Sequence, residues 1–117
     1  MIEMALSDNI KIALNEIVDD IVKGDFSKLS SDGRIGKLSE DDIKSELLNY
    51  GGVVTIPPED SYDRFLQVTQ IRDTETYKAF FELWIDNERS DLTLICDIVS
   101  TDGDTVDTIE IDDIHVL

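Results

Sequence analysis

The 117-residue sequence is poor in the residues that form disulfides and Cys–His catalytic pairs. It contains one cysteine, Cys96, and one histidine, His115. A single cysteine excludes a disulfide within the chain. Because Cys96 lies in the apolar run LTLICDIV, we expect a buried thiol that packs as a small hydrophobic group. A catalytic Cys–His pair is not expected, since His115 belongs to the terminal strand.

Basic residues are scarce as well. The chain has 10 lysines and arginines against 27 aspartates and glutamates, which gives a formal net charge of −17. Nucleic acid is therefore not an expected ligand, because phosphate binding needs a basic face. An anionic membrane surface is disfavoured for the same reason. A basic protein or a cation is the natural complement, and a solvated acidic surface that only maintains solubility is the alternative.

Long apolar runs are missing too. No stretch approaches the length of a membrane span. The opening MIEMALSDNIKIAL has an acid at position 3 and no basic segment, so it does not resemble a signal peptide. These features predict a cytoplasmic protein. The length and the 41% hydrophobic content predict one domain, residues 1–117, with one core.

The N-terminal third has the periodicity of helices. One apolar stripe predicts an amphipathic helix from about residue 3 to Gly24, and it consists of Leu6, Ile10, Leu14, Ile17, Val18, Ile21 and Val22. Glycine at that position suits the left-handed backbone that ends helices. In the polar connector 25–38, Phe26 and Leu29 predict a short helical turn.

A second helix is predicted from SEDD onward. Ser39 is its expected N-cap, and Asp42 three residues later gives a pattern similar to a capping box. Gly51 and Gly52 end it. Its expected apolar face consists of Ile43, Leu47 and Tyr50.

From residue 53 the apolar period changes from 3.6 to 2, which is typical of strands. The predicted strands are 53–56, 62–71 with Leu66 and Val68 as apolar anchors, 77–85, 92–99 and 106–116. Turns are expected at 87–91 and at Asp102–Gly103. Helices over about 3–50 followed by four to five antiparallel strands over about 53–117 predict an α+β fold, with the helices packed on a curved sheet.

This order of elements, with VKGDFSKL closing the first helix, resembles the nuclear-transport-factor-two-like superfamily. The resemblance implies a cone in which a bent sheet wraps helices around a central cavity. The usual cone has three N-terminal helices, so FSKL would have to be the third. Two further segments, RSDLTL (Arg89–Leu94) and IDDIHVL (Ile111–Leu117), resemble a small bacterial family of unknown function.

The cone resemblance implies where a catalytic site would lie. Enzymes on this fold use a carboxylate, a tyrosine or a histidine inside the cavity as general acid or base. The residues that could converge there are Tyr77, Asp97, Asp113 and His115. The alternative is that His115 is a satisfied or exposed strand histidine.

A metal site is not expected either. Asp102, Asp104 and Asp107 cluster around one glycine, but the strands that flank them do not match a calcium loop. The cluster therefore predicts a polar hairpin turn, and no metal or other cofactor is expected.

The C-terminal acids form the predicted partner surface. No lysine or arginine follows Arg89, and such a one-signed field favours association with a basic protein. The predicted partner-binding residues are Asp91, Asp102, Asp104, Asp107, Glu110 and Asp112. Exposed aromatic anchors would add affinity, with Tyr62, Phe65 and Trp84 as the candidates.

These features together are similar to those of immunity proteins, several families of which are built on the cone. The hypothesis is a non-enzymatic inhibitor that neutralises a basic, nuclease-type bacterial toxin by occluding its active site. The alternative is a small-molecule-binding or enzymatic cone domain. A stand-alone domain with a structural or regulatory partner is a third reading. Whether the chain forms a homodimer through its sheet is a separate question that the sequence leaves open.

The last strand, TIEIDDIHVL, changes the phase of its apolar residues. Ile109 and Ile111 share one face, whereas Ile114 and Val116 have the opposite phase. A β-bulge at Asp112–Asp113 would restore a single buried face. We predict this bulge, with both carboxylates solvated.

Overall fold

The computed structural model describes the backbone of residues 2–117 and the side chains from residue 6 onward. Its elements, in chain order, are α1 (Ile2–Lys23), α2 (Phe26–Ser31), α3 (Glu40–Tyr50), β1 (Val54–Thr55), α4 (Ser61–Arg64), β2 (Gln67–Gln70), β3 (Thr76–Ile85), β4 (Glu88–Val99) and β5 (Thr108–Val116). The predicted α+β fold, with N-terminal helices and an antiparallel sheet, is confirmed.

The N-terminal helices form where the local sequence favours them. The predicted stripe of α1 is buried, apart from the partly buried Val22. Gly24 follows α1 with a φ of +72°, the left-handed conformation that glycine adopts without steric cost. At α3 the hydroxyl of Ser39 accepts from the Asp42 amide at 3.1 Å, and the Asp42 carboxylate accepts from the Ser39 amide at 2.9 Å. The predicted capping box is therefore confirmed.

The sheet has five antiparallel strands. Its main order is β1-β3-β4-β5, and β2 also pairs with β3. The β5 edge is partly covered by the segment before α3. There the Gly36 amide donates to the Ile111 carbonyl at 3.2 Å, and the Ile111 amide donates to the Arg34 carbonyl at 2.7 Å.

Two local predictions in the sheet region are wrong. The segment 62–71 is not one strand: Ser61–Arg64 is helical, and the strand comprises only Gln67–Gln70. The predicted anchor Val68 is 40% exposed, and none of the four residues of β2 is buried. The reversal between β3 and β4 is the pair Asp86–Asn87, both with positive φ, rather than 87–91. Aspartate and asparagine tolerate that backbone in two-residue hairpins.

The two faces of the sheet differ in what covers them. The inner face packs against α1, α3 and Leu29, and its buried strand residues include Phe81, Leu83, Leu92, Leu94, Cys96, Ile98, Ile109, Ile111 and Ile114. The outer face carries Lys78, Phe80 and Glu82 from β3. Ile95, on the same face in β4, is only 5% exposed but lies outside the main core. The outer face therefore has a small apolar patch of its own.

The predicted bulge in β5 is confirmed. Ile95 lies opposite Asp113 and Cys96 lies opposite Ile111, so Asp112 is an extra residue with no partner in β4. The inserted residue brings Ile114 onto the same buried face as Ile109 and Ile111.

None of the helices found within residues 2–117 has the length and apolar character needed to cross a bilayer.

Candidate functional site

Two of the predicted partner-binding residues build the loop between β4 and β5. Asp102 accepts from the amides of Asp104 and Thr105 through one carboxylate oxygen, at 2.8 and 2.7 Å. The hydrogen bonds from the Thr105 and Asp104 amides hold the pKa of Asp102 below its usual value. Asp107 accepts from both the amide and the hydroxyl of Thr101 at 2.8 Å. These carboxylates order the loop.

Two others are directed outward. Asp104 and Glu110 are exposed, and within the described part of the chain neither carboxylate has an ion-pair or hydrogen-bond partner. The loop that carries Asp104 is fixed to α1, because the side-chain amide of Asn9 donates to the Asp104 carbonyl at 2.8 Å. This hydrogen bond holds the backbone that carries the Asp104 carboxylate against α1.

The carboxylate of Asp112 is not solvated, as had been predicted, but paired with lysines. Its carboxylate lies 3.0 Å from the ammonium of Lys78 and 3.1 Å from that of Lys37, and its side chain is only 20% exposed. The hydrogen bond from Lys78 lowers the pKa of Asp112, and the bond from Lys37 adds to this against the effect of burial. A solvated carboxylate was therefore the wrong expectation here. Lysines from earlier in the chain interrupt the one-signed field of the tail.

Asp91 also has an internal partner. The hydroxyl of Tyr50, at the end of α3, donates to the Asp91 carboxylate at 2.6 Å. This hydrogen bond raises the pKa of Tyr50. The contact joins α3 to the start of β4, where Ser90 accepts from the Leu92 amide and donates to the Leu83 carbonyl.

The four residues considered for catalysis do not converge on the interior. Tyr77 shares the inner face with Ala79, Phe81 and Leu83, whereas Asp97, Asp113 and His115 belong to the outer face. Nδ1 of His115 lies 2.7 Å from the Asp113 carboxylate. Cys96 is fully buried, and burial raises the pKa of its thiol. No described group of three His, Cys, Asp or Glu side chains has the arrangement of a metal site.

The three aromatic candidates differ in how deeply they are buried. Tyr62 is 8% exposed and stacks on Phe81 with ring centroids 4.7 Å apart, so it belongs to the core. Trp84 is half-buried. Phe65 is half-buried, with the Arg89 guanidinium 4.0 Å from its ring centroid. Phe80 was not among the predicted site residues, although it lines a groove of the outer face together with Phe65.

The basic residues are almost all paired internally. Among the residues whose side chains the structure describes, every lysine and arginine except Lys44 has a nitrogen within 3.9 Å of a carboxylate oxygen. Lys44 lies over the Phe26 ring at 5.5 Å. The excess negative charge therefore resides in carboxylates without a cation beside them.

A cleft of about 480 Å³ opens between α1 and the β2 side of the sheet. It is lined by Leu6, Ile10, Val68 and Tyr77, with Ser7, Gln70 and Gly103. Its lining is largely apolar, and none of the three outer-face candidates for catalysis lines it.

Comparison with known families gives one match. Residues 18–117 match the family described as a domain of unknown function (DUF7668), and the chain belongs to that family. The matched range includes both RSDLTL and IDDIHVL. No curated protein matches the chain, and no solved structure matches it. The resemblance to the nuclear-transport-factor-two-like superfamily stays a prediction.

Proposed function

We propose that the protein is a non-enzymatic binding protein for a basic protein partner. We further propose that it acts in the cytoplasm as an immunity protein that neutralises a nuclease-type toxin. The observation that carries the proposal is that, within the described part of the chain, every lysine and arginine except Lys44 is paired with a carboxylate, while the net charge is −17. A basic partner would meet many unpaired carboxylates and few competing cations.

The mechanism would be occlusion of the nuclease's substrate groove. A nuclease binds phosphates through a basic groove. Carboxylates presented by a folded protein can occupy the same groove and prevent the substrate from entering. The negative field raises the rate of encounter, whereas buried contacts at the centre of the interface supply much of the affinity.

Among the six predicted partner-binding residues, Asp104 and Glu110 are the carboxylates best placed for this role. Both are exposed and without an internal cation partner among the described residues. Asp102, Asp107 and Asp112 contribute charge to the same region, but their carboxylates are engaged in ordering the loop and the bulge. We therefore assign partner contact to the first pair.

A co-expression experiment tests the proposal. The protein encoded next to this chain is expressed in bacteria with and without it. We expect the neighbour to carry a basic domain that stops growth on its own, and we expect growth to be restored when this chain is present. A neighbour that is harmless and does not bind this chain would overturn the immunity function.

Charge reversal then locates the surface. The double substitution Asp104→Lys with Glu110→Lys should slow association with the neighbour by about tenfold or more at low salt. The matched control is Glu46→Lys with Glu59→Lys, which changes the net charge equally at two exposed positions elsewhere. Equal effects of the two double variants would mean that no particular acidic surface is used.

A second candidate function is binding of an apolar small molecule. The cleft of about 480 Å³ favours it, since small-molecule sites have volumes of about 300–1,000 Å³. Val68→Trp should fill the cleft and abolish binding of the neutral fluorescent probe N-phenyl-1-naphthylamine. Val53→Trp, at another exposed position, is the control. Unchanged probe fluorescence in Val68→Trp would exclude the cleft.

A further inference from the structure

A narrow groove crosses the outer face of the sheet. Its volume is about 240 Å³, and the residues that line it include the aromatic Phe65 and Phe80 and the acidic Glu82 and Asp91. Thr93 and Leu117 also line it, and Leu117 is 72% exposed. The groove thus combines aromatic surface with negative charge on the face opposite the main core.

The strand register places these groups next to one another. Phe80 lies between Gln67 of β2 and Ile95 of β4, and Glu82 lies opposite Thr93. The buried side chains of Thr93 and Ile95 give the centre of this face a closely packed base. Strand β3 therefore holds Phe80 and Glu82 two positions apart on the same face of the sheet.

The size of the groove indicates what it can hold. Its volume is below the range of about 300–1,000 Å³ that is usual for small-molecule sites, so it suits a single side chain. The faces of aromatic rings and nearby carboxylates both attract a cation. Among cationic side chains, the planar guanidinium of arginine stacks on rings and bonds carboxylates at the same time.

The chain already shows this chemistry beside the groove. The Arg89 guanidinium lies 4.0 Å from the centroid of Phe65, and its Nε lies 3.6 Å from the Glu82 carboxylate. One of the two phenylalanines of the groove, Phe65, thus already has an internal arginine over its ring. Phe80 and Asp91 line the groove without a cation of their own among the described residues.

We propose that this groove receives an arginine side chain of the basic partner. The guanidinium would stack on Phe80 and bond to the carboxylates of Glu82 and Asp91. This inference rests on the proposed function. The groove would supply the anchoring contact that the acidic surface alone lacks. It assigns affinity to the outer face of the sheet, and it leaves long-range attraction to Asp104 and Glu110.

The test uses a single arginine rather than an unidentified partner. Nα-acetyl-arginine methylamide is titrated into the ¹⁵N-labelled full chain, and amide chemical shifts are followed. Acetyl-citrulline methylamide, which has the same shape without the charge, is the matched probe. We expect saturable shifts at Phe80, Glu82 and Thr93 with the arginine probe and much weaker shifts with citrulline.

Two variants locate the binding. Phe80→Leu keeps the position apolar and removes the ring, so the affinity should fall about fivefold. Glu82→Gln removes one carboxylate and should have an effect of similar size, whereas Glu46→Gln, at an exposed position outside the groove, should leave binding unchanged. Shifts spread over the whole acidic surface, or the same affinity in Phe80→Leu, would overturn the proposal, as would the absence of saturable shifts.

The two proposals fail in different ways. If the arginine probe binds the groove but no basic toxin is neutralised, the immunity function is wrong and the groove assignment stands. If growth is rescued equally by the Phe80→Leu variant and the probe does not bind the groove, the groove assignment is wrong and the immunity function stands.

Discussion

The carboxylate of Asp112 accepts a hydrogen bond from the ammonium of Lys78 at 3.0 Å, across the full width of β4. The bulge makes this contact available, because Asp112 has no partner in β4 and its side chain is free of the regular alternation. Lys78 also contacts Asp97 at 2.9 Å, and Lys37 contacts Asp112 from the segment before α3. The bulge therefore joins three separate parts of the chain.

Removing the Asp112 charge should destabilise the protein at neutral pH. Asp112→Asn is expected to lower the free energy of unfolding by about 1 kcal/mol at pH 7, measured by urea denaturation. The folded pKa of Asp112 is below its unfolded value, so this stabilisation is present above the unfolded value and is lost as pH falls through the folded one. The difference between the wild type and the variant should therefore shrink below about pH 4.

Asp104→Asn is the control for net charge. It removes the same charge from an exposed site without an internal cation partner among the described residues, so it should leave stability unchanged or raise it slightly. A pH-independent loss in Asp112→Asn would mean that the bulge geometry, rather than the ion pairs, is responsible.

The backbone at Gly36 lies so close to β5 that we expect no larger residue to be tolerated there. A Cβ atom there would lie 2.7 Å from the Ile111 carbonyl oxygen. Gly36→Ala is therefore expected to separate this segment from β5 and to cost about 1–3 kcal/mol. Hydrogen exchange provides the specific readout, because the Ile111 amide, which donates to the Arg34 carbonyl, should exchange faster.

Gly33→Ala is the comparison for that variant. Gly33 has a φ of +70° and open space around its Cα, so alanine there should cost about 1 kcal/mol through backbone strain alone. Protection of the Ile111 amide should remain. Equal exchange rates of that amide in the two variants would contradict the predicted role of Gly36.

Removal of the hydroxyl should have different effects on stability at Tyr62 and at Tyr50. The Tyr62 hydroxyl is buried and has no hydrogen-bond partner among the described groups. Tyr62→Phe should therefore leave the free energy of unfolding unchanged or raise it by up to about 1 kcal/mol. Tyr50→Phe loses the bond to Asp91 and should lower the melting temperature. A clear loss of stability in Tyr62→Phe would reveal a partner for its hydroxyl.

Patterns confined to neighbouring residues predicted much of the fold. The capping box at Ser39 and the phase change between Ile111 and Ile114 depend on residues a few positions apart, and both are confirmed. Val68 was misassigned because it lies two residues after Leu66, as in a strand with one buried face, whereas all four residues of the edge strand β2 are exposed. Burial at an edge depends on distant packing, which local alternation does not encode.

The candidate site was harder to predict for a related reason. The acids were visible in the sequence, but the lysines that pair with Asp112 come from 34 and 75 positions away. The groove likewise combines Phe65, Phe80 and Thr93 from three separate segments. The strand register brings Phe80 and Thr93 onto one face, and Phe65 reaches that face from the residue that follows α4.

Burial should make Cys96 unreactive in the folded protein. Its side chain is fully buried between Ile111 and Ala79 across the sheet, and burial raises the pKa of the thiol. A disulfide reagent such as dithionitrobenzoate requires the thiolate, so at pH 8 it should react with the native chain only as fast as the chain opens. In about 8 M urea, where small domains are unfolded, the reaction should finish at the rate of a free thiol.

Thr105→Cys in the wild-type background adds an exposed thiol in the β4–β5 loop, and that thiol should react at once while Cys96 stays protected. Rapid reaction of both thiols in the folded variant would show that the sheet opens around Cys96 far more often than its packing implies.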